Sequence, residues 1–179
     1  MPEGLTVQIR RLTVEDDRTQ FSSGDIELDR FFQRFAGQNQ FRHYIGTTYV
    51  AECAAQLVGF VTVSSGEIST ETLSHVVRKR LPDYPLPILR IARFAVDQRF
   101  QGHGIGKLLL KAMLELALQQ RDQAGCVGVV VDAKPKAIPF YKQLGFAALD
   151  IISGELGSRP EPLPMFLPIQ IIAKSVSHN

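Results

Sequence analysis

"ILRIARFAVDQRFQGHGIGKLLL", residues 88–110, decides how this chain is read. Its first part, Ile88 to Asp97, is apolar enough for a strand, with Ile88, Leu89, Ile91, Phe94 and Val96. Arg99-x-x-Gly102-x-Gly104 follows, and then an apolar helix pattern over 104–120 through Ile105, Leu108, Leu109, Ala112 and Leu116. Strand, glycine turn and helix together make an anion site. The first N–H groups of a helix have no partner inside it, its dipole favours negative charge, and residues without Cβ let backbone close around a phosphate. Two nucleotide loops fail on spacing. A Walker loop would need glycine at Gln101 and Ser or Thr at Leu108, and a dinucleotide turn would need glycine at Lys107. What remains is a strand, a glycine turn and a helix: either a turn that closes around a pyrophosphate with Arg99 adding charge, or a glycine-rich tight turn that serves packing.

Upstream, "LTVQIRR" (5–11) alternates as a first strand. "SSGDIELDRFFQRFAGQNQ" predicts a helix capped by Ser23 or Asp25, with Ile26, Leu28, Phe31, Phe32 and Phe35 as its apolar stripe. "TTYVAEC" and "LVGFVTVSS" are strand-like, and the short "AAQ" between them predicts a hairpin. Residues 70–80 read as a second helix ending in Arg78-Lys79-Arg80, and "LPDYPLP" as a connector. Downstream, "CVGVVVDA" is a buried strand. "PKAIPFYKQLGF" is a short helix stopped at Gly145, with Pro139 removing one of its bonds, and "MFLPIQII" is a closing strand after a loop at 153–164. There is no internal repeat, and residues 1–179 are expected to form a single domain.

The chain has 179 residues, ample for a core, and 45% apolar content. No apolar run approaches a membrane span, and no secretory signal follows Met1-Pro2-Glu3-Gly4. Cys53 and Cys126 show no metal or redox spacing, so a cytoplasmic location with reduced thiols is expected. His43, His75, His103 and His178 show no ligand spacing, so no metal is expected. The net charge of +2 conceals a basic middle: residues 78–142 hold twelve Lys/Arg against five Asp/Glu. Such a region suits an anionic ligand or is simply a solvated basic surface.

The glycine turn resembles the core of the GNAT acetyltransferases, which hold the pyrophosphate of acetyl-CoA on an Arg/Gln-x-x-Gly-x-Gly/Ala turn. "AIPFYKQLGF" is similar to that family's A-x-x-F-Y-x-x-x-G-F segment at Ala137, Phe140, Tyr141, Gly145 and Phe146. The resemblance implies an α/β (α+β) fold. Its central sheet is mixed and mostly antiparallel, of about seven strands, splayed between the fourth and fifth and flanked by helices. It implies acetyl-CoA as co-substrate, met by Phe94, Ala95, Val96, Arg99, Gln101, Gly102, His103, Gly104, Ile105, Gly106, Lys107, Asp132, Ala137 and Phe140. Tyr141 would be the general acid that protonates the departing thiolate. The chain departs from the family where many members carry a glutamate base on the fourth strand, since "LRIARFAV" offers Arg90 and Arg93 instead. A lysine amine is neutral in about one molecule per thousand at neutral pH, whereas an α-amine is neutral far more often. A base-poor site with Arg90 and Arg93 as substrate contacts therefore favours an α-amine.

Closer still is the likeness to one branch, the GNAT toxins that acetylate aminoacyl-tRNA. "FSSGDIELDRF" is similar to its F-x-C/S-G-x-x-x-L-D-x-F pattern, and "IARFAVDQRFQGHGIG" to its I-G-R-L-A-V-D-x-x-x-Q-G-x-G core, with Ala92 in place of glycine. This implies aminoacyl-tRNA as acceptor, an antitoxin of the ribbon-helix-helix type and a homodimer. Acetyl transfer to a small amine or a protein N-terminus stays open beside it, as does a non-catalytic acyl-CoA-binding protein.

Overall fold

The computed structural model describes residues 6–73, 78–149 and 162–176. Its strands are β1 (Val7–Arg11), β2 (Thr47–Cys53), β3 (Gln56–Ile68), β4 (Leu86–Val96), β5 (Gly128–Ala133), β6 (Ala147–Ala148) and β7 (Leu163–Pro168). They form a seven-stranded sheet in the order β1-β2-β3-β4-β5-β7-β6. It is mixed, with β4 and β5 parallel. The long helix α3 (Ile105–Gln123) connects those two strands, as a parallel pair requires a crossover. The described chain divides into two compact units, one of residues 1–64 and 91–113, the other of 65–90 and 114–179.

In the first unit β1, β2 and β3 make an antiparallel meander, with Val7 opposite Cys53 and Thr47 opposite Val63. Thr48 and Thr62 face each other across it, and their buried hydroxyls share a 2.7 Å hydrogen bond. The β2–β3 loop is Ala54-Ala55, and both residues take positive φ, 50° and 63°. That is the twist a two-residue hairpin needs, supplied here without asparagine or glycine. Asp25 caps α1 (Ile26–Arg30), its carboxylate accepting from the N–H groups of Glu27 and Leu28 at 3.0 and 3.1 Å. The chain then passes through a π-helical turn (Phe31–Phe35), α2 (Ala36–Gln38) and a second π-helical turn (Asn39–His43). These wide turns shift the buried stripe. Phe32 and Ala36 are fully inside, whereas Ile26 is 83% exposed and Phe35 40% exposed. The regular stripe expected from Ile26 to Phe35 is thus corrected. Phe32 stacks flat on Phe60 of β3, centroids 4.3 Å apart, and Phe21 meets both edge-on. Such pairs add about 0.5–1.5 kcal/mol each beyond their buried area. Gly59 of β3 is where α3 comes down. A Cβ there would lie 2.9 Å from Leu109 Cδ1 and 3.1 Å from Ile105 Cγ2, so any larger residue would push those side chains of the helix aside.

In the second unit β5 pairs antiparallel with β7, Gly128 opposite Pro168, and β7 with β6. Ile68, Leu73, Leu86, Ile88, Val130, Leu149 and Phe166 form its core cluster. α4 (Ile138–Gln143) follows a 3₁₀ turn at Pro135–Ala137. Pro139 falls in the first turn of α4, where its missing N–H had no helical partner, so no bond is removed there. Two further expectations change. β7 ends at Pro168, and Ile169–Val176 is a helix, α5, with Ile172 fully buried. Of the helix expected over 70–80, Thr70–Thr72 form a 3₁₀ turn and Arg78 is helical, while residues 74–77 lie outside those described.

Candidate active site

The glycine turn is built around a buried carboxylate that sequence reading passes over. Asp97, at the end of β4, is 1% exposed. Its oxygens accept from the backbone N–H of Arg99 (3.0 Å), Arg99 Nε (3.0 Å), a terminal Arg99 nitrogen (3.2 Å) and the backbone N–H of Ser22 (3.2 Å). These bonds hold the Asp97 carboxyl below its ordinary range even though burial alone would raise it. The N–H of Asp97 donates to the Val58 carbonyl at 2.9 Å, and that of Gln98 to the Ser22 carbonyl at 2.8 Å. Gln101 spends both amide hydrogens on the loop, donating to the carbonyls of Ser23 and Val96, each at 3.0 Å. The strand end, the segment before α1 and the turn are thereby laced together. The Arg99 side chain stays 57% exposed and lies 5.7 Å from the Phe100 ring centroid.

What this brace holds open is visible at the glycines. Gly102 and Gly104 have φ of +81° and +83°, and a Cβ built on either would meet no protein atom within 4 Å. They are therefore not glycines for the sake of packing. The positive φ demands them, and the space they border is open. The Gly104 carbonyl accepts from Leu108 N–H at 3.1 Å, opening α3. Gly104 itself has no side chain with which to cap the N–H groups of that first turn. Ile105 is buried and Lys107 and His103 are exposed. A Cβ on Gly106 would sit 3.4 Å from Phe94 and 3.8 Å from Val96, so these two side chains support the helix entry, while Ala95 joins the core cluster with Phe32 and Phe60. A cradle with open space, oriented N–H groups and a braced arginine fits a pyrophosphate.

The arginines of β4 part company. Side chains alternate along a strand, so Arg90 and Arg93 point to opposite faces. One terminal nitrogen of Arg90 meets both oxygens of Asp132 on β5 at 3.1 Å, and both side chains are half-buried. Arg93 is exposed, donates to the Ala92 carbonyl at 2.9 Å and lies 5.1 Å over the Phe31 ring.

Tyr141 sits on α4, 3% exposed, with Phe140 and Phe146 edge-on to it at 5.3 and 5.4 Å. Burial pushes its phenol above the ordinary tyrosine range, so it keeps its proton at neutral pH. Ala137 closes the 3₁₀ turn just before, its N–H donating to the Lys134 carbonyl at 2.8 Å. Among the described residues no group of three or more His, Cys, Asp or Glu is gathered that could hold a metal ion. No helix among them is long and apolar enough to cross a membrane.

A mixed sheet with a parallel central pair, and a glycine cradle where its fourth strand runs into a helix, define an acyltransferase. Residues 45–148 match the acetyltransferase (GNAT) domain, and the chain belongs to that family. Within it, the chain is similar to a tRNA-acetylating toxin of Mycobacterium tuberculosis, 32% identical over 139 residues, 76% of this chain and 82% of that one. Among solved structures it shares its fold with the toxin AtaT complexed with acetyl-methionyl-tRNAfMet. The TM-score is 0.83 and the identity 23%, with 97% of this chain and all of that one covered. A second structure is a tyrosine-to-phenylalanine mutant of AtaT bound to the C-terminus of the antitoxin AtaR and to acetyl-CoA. Its TM-score is 0.77 and its identity 22%, covering 96% of this chain and 99% of that one.

Proposed function

We propose that this acetyltransferase moves the acetyl group of acetyl-CoA to the α-amine of aminoacyl-tRNA, silencing translation as the toxin of a toxin–antitoxin pair. The observation that carries the cofactor half is the open cradle at Gly102 and Gly104, with Arg99 pinned beside it by Asp97. The tRNA half draws on the likeness to a tRNA-acetylating toxin and on the basic middle of the chain, where phosphate contacts would dominate binding. The same reading gives one catalytic domain working as a homodimer in the cytoplasm, restrained by a ribbon-helix-helix antitoxin.

In this reading the thioester carbonyl lies along the backbone of Phe94, Ala95 and Val96. A neutral amine attacks it and the carbon–sulfur bond breaks. Tyr141 gives its proton to the thiolate and recovers one from the attacking nitrogen through water. A phenol raised by burial always carries its proton at neutral pH, but the same burial disfavours the phenolate, so donation and recovery must be nearly concerted. The α-amine, with an ordinary pKa near 7.7–8.0, needs no carboxylate to free its lone pair. Asp132 would not serve as one, because Arg90 holds it.

Labelled acetyl-CoA incubated with charged tRNA, followed by mass spectrometry of the aminoacyl ends, tests this directly. Tyr141→Phe should lower turnover about 100-fold or more with acetyl-CoA affinity little changed. A fully active Tyr141→Phe would remove the proton donor from this mechanism.

A further inference from the structure

We propose that Arg93, lying over Phe31, binds the phosphodiester nearest the reacting amine of a nucleic-acid acceptor, with Phe31 as its positioning residue, and that Arg90 has no such part. The proposal rests on the aminoacyl-tRNA reading above. Three observations lead to it.

The first is charge. Arg90 is neutralised by Asp132, whereas among the described residues no carboxylate pairs with Arg93. Among the described residues only one of its five N–H donors is engaged, by the Ala92 carbonyl. The second is fixation. Phe31 stacks on Phe60 at 6.3 Å and 28°, and Phe60 on Phe32 at 4.3 Å and 2°. Phe32 and Phe60 are fully buried. The exposed guanidinium thus lies 5.1 Å over the outermost ring of this pile, which gives it a support that does not move. A planar fork set in advance suits the paired oxygens of a phosphate and loses little freedom on binding. An aromatic support, unlike a carboxylate, leaves the whole positive charge available.

The third is place. Arg93 precedes Ala95 by two residues on the same face of β4, about 7 Å along the strand from the backbone assigned to the acyl group. The chemistry of the acceptor then selects the anion. In an aminoacyl ester the carboxylate of the amino acid is consumed in the bond to ribose, so the nearest negative charge to the amine is the phosphate of that same terminal nucleotide. A free amino acid would instead offer its carboxylate to Arg93, which makes it the discriminating competitor.

The experiment uses the full chain with three acceptors: charged tRNA, the methyl ester of the same amino acid, and the free amino acid. Arg93→Gln, Arg93→Lys and Phe31→Leu are compared with wild type, and acetyl-CoA affinity is measured on each as a check of folding. Arg93→Gln should lower kcat/KM for charged tRNA by about tenfold or more beyond any loss on the methyl ester. The slope of log kcat/KM against log salt for charged tRNA should fall by about one phosphate's worth. Arg93→Lys should restore the salt slope but not the full rate, and Phe31→Leu should raise KM for charged tRNA with kcat little moved. Equal losses on charged tRNA and methyl ester, or an unchanged salt slope, would overturn the phosphate assignment. A greater loss on the free amino acid would assign Arg93 to a carboxylate instead. Wild-type protein that acetylates the small amines and never charged tRNA refutes the function itself, a result distinct from any behaviour of the variants.

Discussion

Asp97→Asn tests how the cradle is held. In the wild-type chain the buried carboxylate accepts four hydrogen bonds, three from Arg99 and one from Ser22. The amide keeps one accepting oxygen and turns an NH₂ towards groups that are themselves donors. Loss of the Ser22 bond should remove about 1 kcal/mol. The Arg99 guanidinium is exposed and water replaces much of its bonding, so its loss adds little to this. A loss near 1 kcal/mol lowers Tm by about 2–4 °C for a chain of this size. The second effect is specific to ligand. Arg99, no longer clamped, must be ordered by the phosphate it meets, which costs about 0.5–1.5 kcal/mol, or about three- to tenfold in affinity for CoA. Pantetheine, which lacks the phosphates, should bind the variant as it binds wild type. Calorimetry with both ligands, beside a melting curve, reads the two effects separately. In a double-mutant cycle with Arg99→Gln the CoA losses should fail to add. If CoA and pantetheine weaken equally, Asp97 is a fold residue and the clamp argument is wrong.

Two further predictions concern stability. Ala54 and Ala55 both sit in the left-handed region, where an L-residue costs about 1–2 kcal/mol; replacing them with Asn-Gly should raise Tm by about 2–4 °C after the added chain entropy of glycine is counted, and an unmoved Tm would show that the turn is not strained. Asp16 accepts two bonds from the Arg10 guanidinium, at 2.8 and 2.9 Å, and one from the Thr13 N–H at 2.7 Å, and its carboxyl is pushed down to about 2. A depressed pKa contributes stability that is complete above the ordinary value of 3.8 and is lost as pH falls through about 2. Asp16→Asn should therefore be less stable than wild type near pH 6 and converge with it by about pH 2 in melting curves; a constant gap across that range would refute the role of the charge.

Much of the site is legible in the sequence because its signals are local. Glycines at 102 and 104 leave few alternatives to a positive-φ turn, and Ala137 to Phe146 carries a fixed pattern in ten residues. What escapes is set by contacts distant in sequence. Asp97 looks like an ordinary strand end because its partner Ser22 lies 75 residues away. An Asp two before an Arg at the start of a turn is the available signal, since such a side chain readily bonds the backbone two residues on. The stripe of the first helix fails at Phe35 because a 3.6-residue period is laid on a segment with two π-helical turns. The guanidinium of Arg18, donating at 2.7 Å to the Phe32 carbonyl, belongs to that distortion and has no periodic signature. The closing segment reads as one strand because Ile169 to Ile172 are as apolar as Met165 to Leu167, and only burial separates the helix from the strand.

Arg93 and Arg99, both exposed in the first unit, illustrate how one charge can be fixed for different ends. Arg99 is held by a carboxylate, so its position is strict and its net field is partly cancelled. Such a residue suits a pyrophosphate already gripped by helix N–H groups, where orientation matters more than attraction. Arg93 lies over an aromatic ring, so its position is supported while no carboxylate among the described residues offsets its field. That suits an acceptor arriving from solution, which must be drawn in before it can be oriented. Exchanging the supports should therefore exchange the behaviours. Phe31→Asp would give Arg93 a carboxylate, and its consequence is separable from lost packing by salt: the penalty on charged tRNA should be largest at low ionic strength and shrink as salt rises, because what has been removed is attraction. A penalty that stays constant with salt would mean that Phe31 contributes packing alone, and the division of labour between the two arginines would not stand.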